Sequence, residues 1–324
     1  MNLSQIWKAL EQDVTEVHDF GLAKRRILPK SRLDFFLGIL TPDGTKLFEF
    51  EAGLPFPSVE IELTRGFVTI IEDTKITLKL THESYLDFFT SLIDDISSYT
   101  NQATSKEQAM HMFLSRLQQW QLFLRRCSPN GLGEEAQRGL FGELYFIRSY
   151  LPLEKIEAWQ GPRLLPHDFQ LPGFAVEVKA VSTKLHQKLK INSEKQLDDR
   201  AAGTLYIYHL SIQPGKSAGE SLTDLIDALR DRFTGHALQS QFEELLFLSG
   251  YSDNHRAHYE KIKYTIRNES VYLVREGFPR ITELDLLQGI GDVSYTIATA
   301  SCTPFAVPIS DLKLRFSEDS SWKA

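Results

Sequence analysis

Asp168, Glu177 and Lys179 are the residues of this 324-residue sequence whose types and spacing offer chemistry. Two carboxylates held a few ångströms apart repel each other. Their shared ionised state is best sustained by a hard divalent cation with oxygen ligands, Mg²⁺ or Mn²⁺. Such an ion acidifies a bound water and stabilises the charge that develops on a phosphodiester under in-line attack. A neighbouring lysine orients or helps deprotonate that water and offsets phosphate charge. Acid, acid and lysine are therefore a sufficient set for phosphodiester hydrolysis. Taken singly, each has a plainer reading: Asp168 as a turn residue, Glu177 and Lys179 as an ion pair on an exposed strand.

The elements that must position these groups are short strands. The pattern predicts a hairpin of strands at about 165–171 and Phe174–Val181 around the turn Pro172-Gly173, which brings Asp168 close to Glu177. Along the second strand Glu177 and Lys179 share one face, and Val176 and Val178 share the other. A helix at about Glu134–Tyr150 precedes the hairpin. A strand at Lys188–Asn192, a short helix at Ser193–Arg200 and an apolar strand at Thr204–Ile212 follow, giving the order α-β-β-β-α-β. That setting separates Glu177-Val178-Lys179 from two other acid-x-Lys triplets, Asp73-Thr74-Lys75 and Asp311-Leu312-Lys313. On the preceding helix, Glu143 is the only charged residue from Gly139 to Ile147, with Leu140, Phe146 and Ile147 as helical neighbours. Burying an unpaired charge costs several kcal/mol, so this carboxylate pairs with something, binds a metal or reaches water.

Pro166-His167-Asp168 followed by Glu177-Val178-Lys179 resembles the PD-(D/E)XK nuclease superfamily, restriction-endonuclease-like proteins whose core has this element order. Gly139-Leu140-Phe141-Gly142-Glu143-Leu144, Trp159-Gln160-Gly161-Pro162, His167-Asp168-Phe169, Glu177-Val178-Lys179-Ala180 and Ile191-Asn192-Ser193-Glu194-Lys195-Gln196-Leu197 resemble one of its branches more closely, a domain of unknown function found in bacteria beside restriction and phage-defence genes. The similarity extends over most of the chain. One departure is that the superfamily's Pro-Asp pair is His167-Asp168 here, with proline one place earlier. The resemblance implies metal binding by Asp168 and Glu177, a catalytic role for Lys179, a metal-binding role for Glu143, and a polar residue of the short helix, Gln196, reaching the site; Ser182 and Lys190 are weaker candidates. It implies an endonuclease acting on DNA in a defence system. The alternative is a catalytically silent subunit that uses the same fold to bind DNA or partner proteins.

Composition bounds this reading. The formal net charge of -7 argues against a surface that grips nucleic acid everywhere, so local charge matters. Five basic residues and no acid fall between Lys24 and Arg32, Arg25 and Arg26 among them; from Lys179 to Lys195 five lysines, including Lys184, Lys188 and Lys190, face Glu194 alone. Either run could line a groove for a phosphate backbone or form a solvated face. Cys127 and Cys302 sit in no metal-ligand spacing and read as buried hydrophobes. His255 and His258 lack a third ligand at a recognisable spacing, and neither Gly131-Leu132-Gly133 nor Gly215-Lys216-Ser217 completes a phosphate-binding loop. No apolar run approaches a membrane span and no secretory signal is present, so a cytoplasmic protein is expected.

Two parts are expected: residues 1–100, a β-rich module with a closing helix, and residues 101–324, the nuclease-like domain with its core at about 133–212. The hairpin signal at Pro42-Asp43-Gly44 marks the first. Helices at 84–99, 105–126, 219–233 and 237–249, and strands at 270–274 and 293–297, complete the reading. Cutting both strands of a duplex would favour two sites related by symmetry, as in a homodimer.

Overall fold

A computed structural model describes residues 3–14, 19–57, 66–200 and 202–318. The chain divides into two compact units, Met1–Pro129 and Asn130–Ala324.

In the first unit, helix α1 (Leu3–Val14) precedes five antiparallel strands, β1 (Gly21–Ile27), β2 (Asp34–Thr41), β3 (Thr45–Glu51), β4 (Phe67–Glu72) and β5 (Lys75–Leu80), in the order β1-β2-β3-β5-β4. The β2–β3 hairpin turns at the expected place. Period-two apolar residues bury one face of the sheet: Phe35 and Phe50 stack at 5.0 Å. Helices α2 (Leu86–Thr100) and α3 (Lys106–Arg126) follow. Phe113 of α3 stacks on Phe50 at 4.7 Å and on Phe48 at 6.3 Å, so α3 closes this core. The division therefore falls after α3, at Pro129, and not near residue 100. The polar stretch Ser98–Lys106 joins two helices of one unit.

The second unit begins with α4 (Glu134–Ser149). Strands β6 (Phe169–Leu171), β7 (Phe174–Val181), β8 (Lys188–Ile191), β9 (Thr204–Gly215) and β10 (Glu220–Ser221) come next, then helices α5 (Leu222–Arg232), α6 (His236–Leu248) and α7 (Arg256–Tyr259). Strand β11 (Lys263–Val274), β12 (Tyr295–Ala298), α8 (Thr299–Cys302), β13 (Ala306–Val307) and α9 (Ile309–Glu318) complete it. The main sheet runs β10-β11-β9-β7-β6, with β13 against β11. β7 and β9 are parallel; β6 folds back antiparallel on β7 and β11 on β9. This mixed α/β architecture matches the expected restriction-endonuclease-like class.

Alternation along β7 and β9 sorts the two faces. Val176, Val178, Tyr208 and Leu210 pack with Leu140, Phe141, Leu144 and Ile147 of α4 and with Leu225 of α5. Ala175, Leu205 and Ile207 pack on the other side against Leu189, Ile191, Leu197 and Ile297. Within the first layer Glu269 of β11 accepts hydrogen bonds from the hydroxyls of Tyr145, Tyr150 and Tyr208, which satisfies a carboxylate beside the core.

Two local expectations are corrected, and one strand pairing is new. Residues 165–168 are not strand, and β6 starts at Phe169. The helix expected at Ser193–Arg200 is a single 3₁₀ turn, Glu194–Leu197. β8 does not extend the main sheet; it pairs with β12, Lys188 opposite Ala298 and Ile191 opposite Tyr295, as a separate two-stranded sheet whose inward Leu189 and Ile191 cover the site face. The other acid-x-Lys triplets sit elsewhere: Asp311-Leu312-Lys313 on α9, Asp73-Thr74-Lys75 at the β4–β5 turn.

Candidate active site

The site grows from the β6–β7 hairpin. Gly173 adopts a φ of 80°, which glycine supplies without strain, and closes the turn. The ladder pairs Leu171 with Phe174, Gln170 with Ala175 and Phe169 with Val176. Continued by one residue, that register sets Asp168 opposite Glu177 on the same face. Asp168 is held there because its Oδ2 accepts the Val178 backbone N–H at 2.8 Å. Lys179 lies one pleat further along β7, and its Nζ is 2.8 Å from Glu177 Oε1.

The remaining members come from α4 and the 3₁₀ turn. Glu143 reaches the cleft because α4 lies close on β7: a Cβ at Gly142 would meet Ala180 Cβ at 2.8 Å, a distance only glycine permits. Glu143 does pair, its Oε2 accepting the Trp159 indole N–H at 2.6 Å. Gln196 turns its Oε1 to Lys179 Nζ at 3.2 Å and to the Asn192 backbone N–H at 2.8 Å. Glu143, Asp168, Glu177, Lys179 and Gln196 thus line one cleft of about 810 Å³.

Burial sets the electrostatics. Glu177 is 1% exposed. Desolvation first, then the charges of Asp168 and Glu143, push its carboxyl up to about 8, although Lys179 pulls the other way. Burial also opposes the Lys179 charge, but Glu177, Asp168 and Glu143 outweigh it and hold the ammonium above its usual range. Glu177 Oε2 is buried and has no hydrogen-bond partner among the described residues. An oxygen-only donor set with one such orphaned oxygen is of the type a hard cation takes. As placed, no group of three or more His, Cys, Asp or Glu side chains among the described residues is arranged to hold a metal ion. One oxygen of each acid is already engaged, by Lys179, Val178 and Trp159 respectively.

The nucleic-acid candidates divide. Lys188 and Lys190 line the cleft, Lys190 paired with Glu135 at 3.0 Å, whereas Lys184 is exposed on the loop after β7 and does not line it. Arg25 and Arg26 belong to the first unit, bound to Asp13 and Asp34. The acid-free run around them is therefore compensated by acids outside it. Two features were not singled out in the sequence. Arg138 of α4 lines the cleft, and its guanidinium donates to the Ala180 carbonyl at 3.2 Å and to Ser182 Oγ at 3.4 Å. Trp159 holds Glu143; its signal was its place in a quoted motif, without a role.

An α/β fold with acid, acid and lysine converging at the edge of its sheet defines the PD-(D/E)XK class. A family model described as "Putative PD-(D/E)XK family member, (DUF4420)" matches residues 3–300, and the chain belongs to that family. No curated protein and no solved structure matches the chain at a significant level. Among the described residues no helix is long and apolar enough to cross a membrane.

Proposed function

We propose that this protein is a metal-dependent endonuclease that hydrolyses phosphodiester bonds of DNA as a component of a bacterial restriction or phage-defence system. The observation that carries the reading is the convergence of Asp168, Glu177 and Lys179 in one cleft, with a Glu177 oxygen buried and without a partner. Asp168, Glu177 and Glu143 would hold Mg²⁺ or Mn²⁺, which when bound supplies positive charge to acidify water and to offset charge developing on the phosphate. Lys179 presents its ammonium beside Glu177, where it can orient the attacking water and neutralise a phosphate oxygen. Gln196 fixes the Lys179 amine in that position. Lys188, Lys190 and Arg138 give the cleft cations for the strand's neighbouring phosphates, with Lys184 on the loop after β7 as a further contact. A homodimer would bring two such clefts to the two strands of a duplex, and other proteins of a defence operon are natural partners.

The test is cleavage of supercoiled and linear DNA, with RNA alongside, in Mg²⁺ or Mn²⁺. Asp168→Ala and Lys179→Ala should each abolish cutting while the melting temperature at pH 6 stays near that of the wild type. Equal cleavage by Asp168→Ala would remove the assignment.

A second reading is favoured by one observation: Glu177 Oε1 is already engaged by Lys179 Nζ at 2.8 Å. In that reading the chain is a catalytically silent subunit that binds DNA or partner proteins. A rise in melting temperature with Mn²⁺ that is lost in Glu177→Ala supports the enzyme, and no rise together with no cleavage supports the subunit.

A further inference from the structure

The turn Trp159-Gln160-Gly161 has no part in the chemistry described above, yet three of its N–H groups are directed at the acids of the cleft or at their backbone. Trp159 is fully buried and donates its indole N–H to Glu143 Oε2 at 2.6 Å. The backbone N–H groups of Gln160 and Gly161 both donate to the Asp168 carbonyl oxygen, at 2.7 and 3.0 Å. Gly161 is not among the glycines with positive φ, so backbone conformation does not require glycine there. Space does. A Cβ at this position would lie 2.9 Å from Asp168 Oδ1 and 2.9 Å from Glu143 Oε2, closer than carbon and oxygen approach without a bond.

We propose that this turn is a positioning element for a divalent cation: Gly161 leaves the room in which the Asp168 and Glu143 carboxylates converge, and Trp159 fixes the Glu143 oxygen. The inference rests on the metal-site reading of the cleft and adds to it the residues that set the spacing of two ligands. In Gly161→Ala the two nearest obstructing atoms are the tips of side chains, so the fold can absorb the methyl group by moving the two carboxylates a few tenths of an ångström. Packing tolerates such a shift. Ligands of a Mg²⁺-like ion do not, because that ion demands oxygens at about 2.0–2.1 Å in near-ideal geometry.

The experiment is Mn²⁺ titration of the full chain by calorimetry with no nucleic acid present. Wild type should bind, and Gly161→Ala should bind about 10- to 100-fold more weakly, the range for losing an outer-shell support of a metal ligand. Trp159→Phe keeps a ring against Phe242 and removes only the donor, so it provides a second variant should Gly161→Ala fail to fold. The discriminating readout is dependence on Glu143. In a Glu143→Ala background Trp159→Phe should change the Mn²⁺ affinity less than about twofold, because the oxygen it holds is gone. Wild-type binding together with unchanged affinity in both Gly161→Ala and Trp159→Phe overturns this inference alone. An equal loss from Trp159→Phe with and without Glu143 also overturns it, by showing a merely structural role. No Mn²⁺ binding by the wild type overturns the metal-site reading and this inference with it.

Discussion

The Lys179 ammonium lies 2.8 Å from Glu177 Oε1, and both side chains are largely withdrawn from water. One ammonium therefore faces three carboxylates, those of Glu177, Asp168 and Glu143, and the sum around Glu177 is an excess of negative charge. That imbalance is what pushes Glu177 up to about 8, after desolvation.

The first prediction follows from the sign of that shift. The folded carboxyl titrates near 8 against an ordinary value of 4.5, so folding favours the protonated form. Its contribution to stability is complete below about pH 4.5 and is lost as pH rises through 8. Wild type should lose stability relative to Glu177→Gln between pH 5 and pH 9, by no more than about 5 kcal/mol at ~1.4 kcal/mol per pH unit. Melting curves of both proteins in EDTA check this. Added Mn²⁺ should raise the wild-type melting temperature more at pH 8.5 than at pH 6, because binding displaces the Glu177 proton. Parallel pH profiles for the two proteins would contradict it.

Lys179 offers a complementary test. Removing the ammonium with Lys179→Met leaves Glu177 without its cation, and the carboxyl should titrate still higher. At pH 6 Glu177 is protonated and the variant should melt close to wild type. At pH 9 the uncompensated buried charge should destabilise it by about 1–3 kcal/mol. Gln196→Ala, which frees the amine without removing it, should cost about 1 kcal/mol of stability at either pH through the lost Asn192 N–H bond and lower the cleavage rate by about tenfold, with a smaller effect on DNA binding. Melting at two pH values and single-turnover cleavage separate the two variants.

The parts of the site that could be read from sequence are those fixed by local geometry. Glu177 and Lys179 are two residues apart on a strand, and Pro172-Gly173 closes a hairpin, so no distant contact is needed to bring Asp168 opposite Glu177. What escaped depends on pairing across long separations. β8 finds its partner β12 about a hundred residues later, and nothing in Lys188–Ile191 itself distinguishes that partner from β7. The boundary after α3 is set by Phe113 packing on Phe50, a contact that the helical spacing of residues 105–126 does not reveal. The run Lys24–Arg32 looked uncompensated because Asp13 and Asp34 lie just outside it and reach Arg25 and Arg26 only in the folded unit. Glu143 carried a warning in its apolar neighbours, but its partner, Trp159, could be named only from the fold.

The last prediction concerns the approach of α4 to β7. Glycine within a helix costs about 1 kcal/mol relative to alanine, so Gly142 must return that cost through contact. The geometry shows how: a Cβ there would stand 2.8 Å from Ala180 Cβ and 3.3 Å from Val178 Cγ1, so a larger residue would force helix and strand apart. Gly142→Val should destabilise the protein by about 1–3 kcal/mol through overpacking. It should also cut cleavage more steeply than stability alone explains, because Glu143 rides on the displaced helix. Ala180→Gly removes one of the two clashing groups. Adding it to Gly142→Ala should recover most of the lost melting temperature and activity, whereas the same change added to Asp168→Ala should restore no activity. Denaturant melts and cleavage rates on these variants and wild type decide the matter, and a Gly142→Val variant as stable as wild type would show that the helix does not rest on the strand at this point.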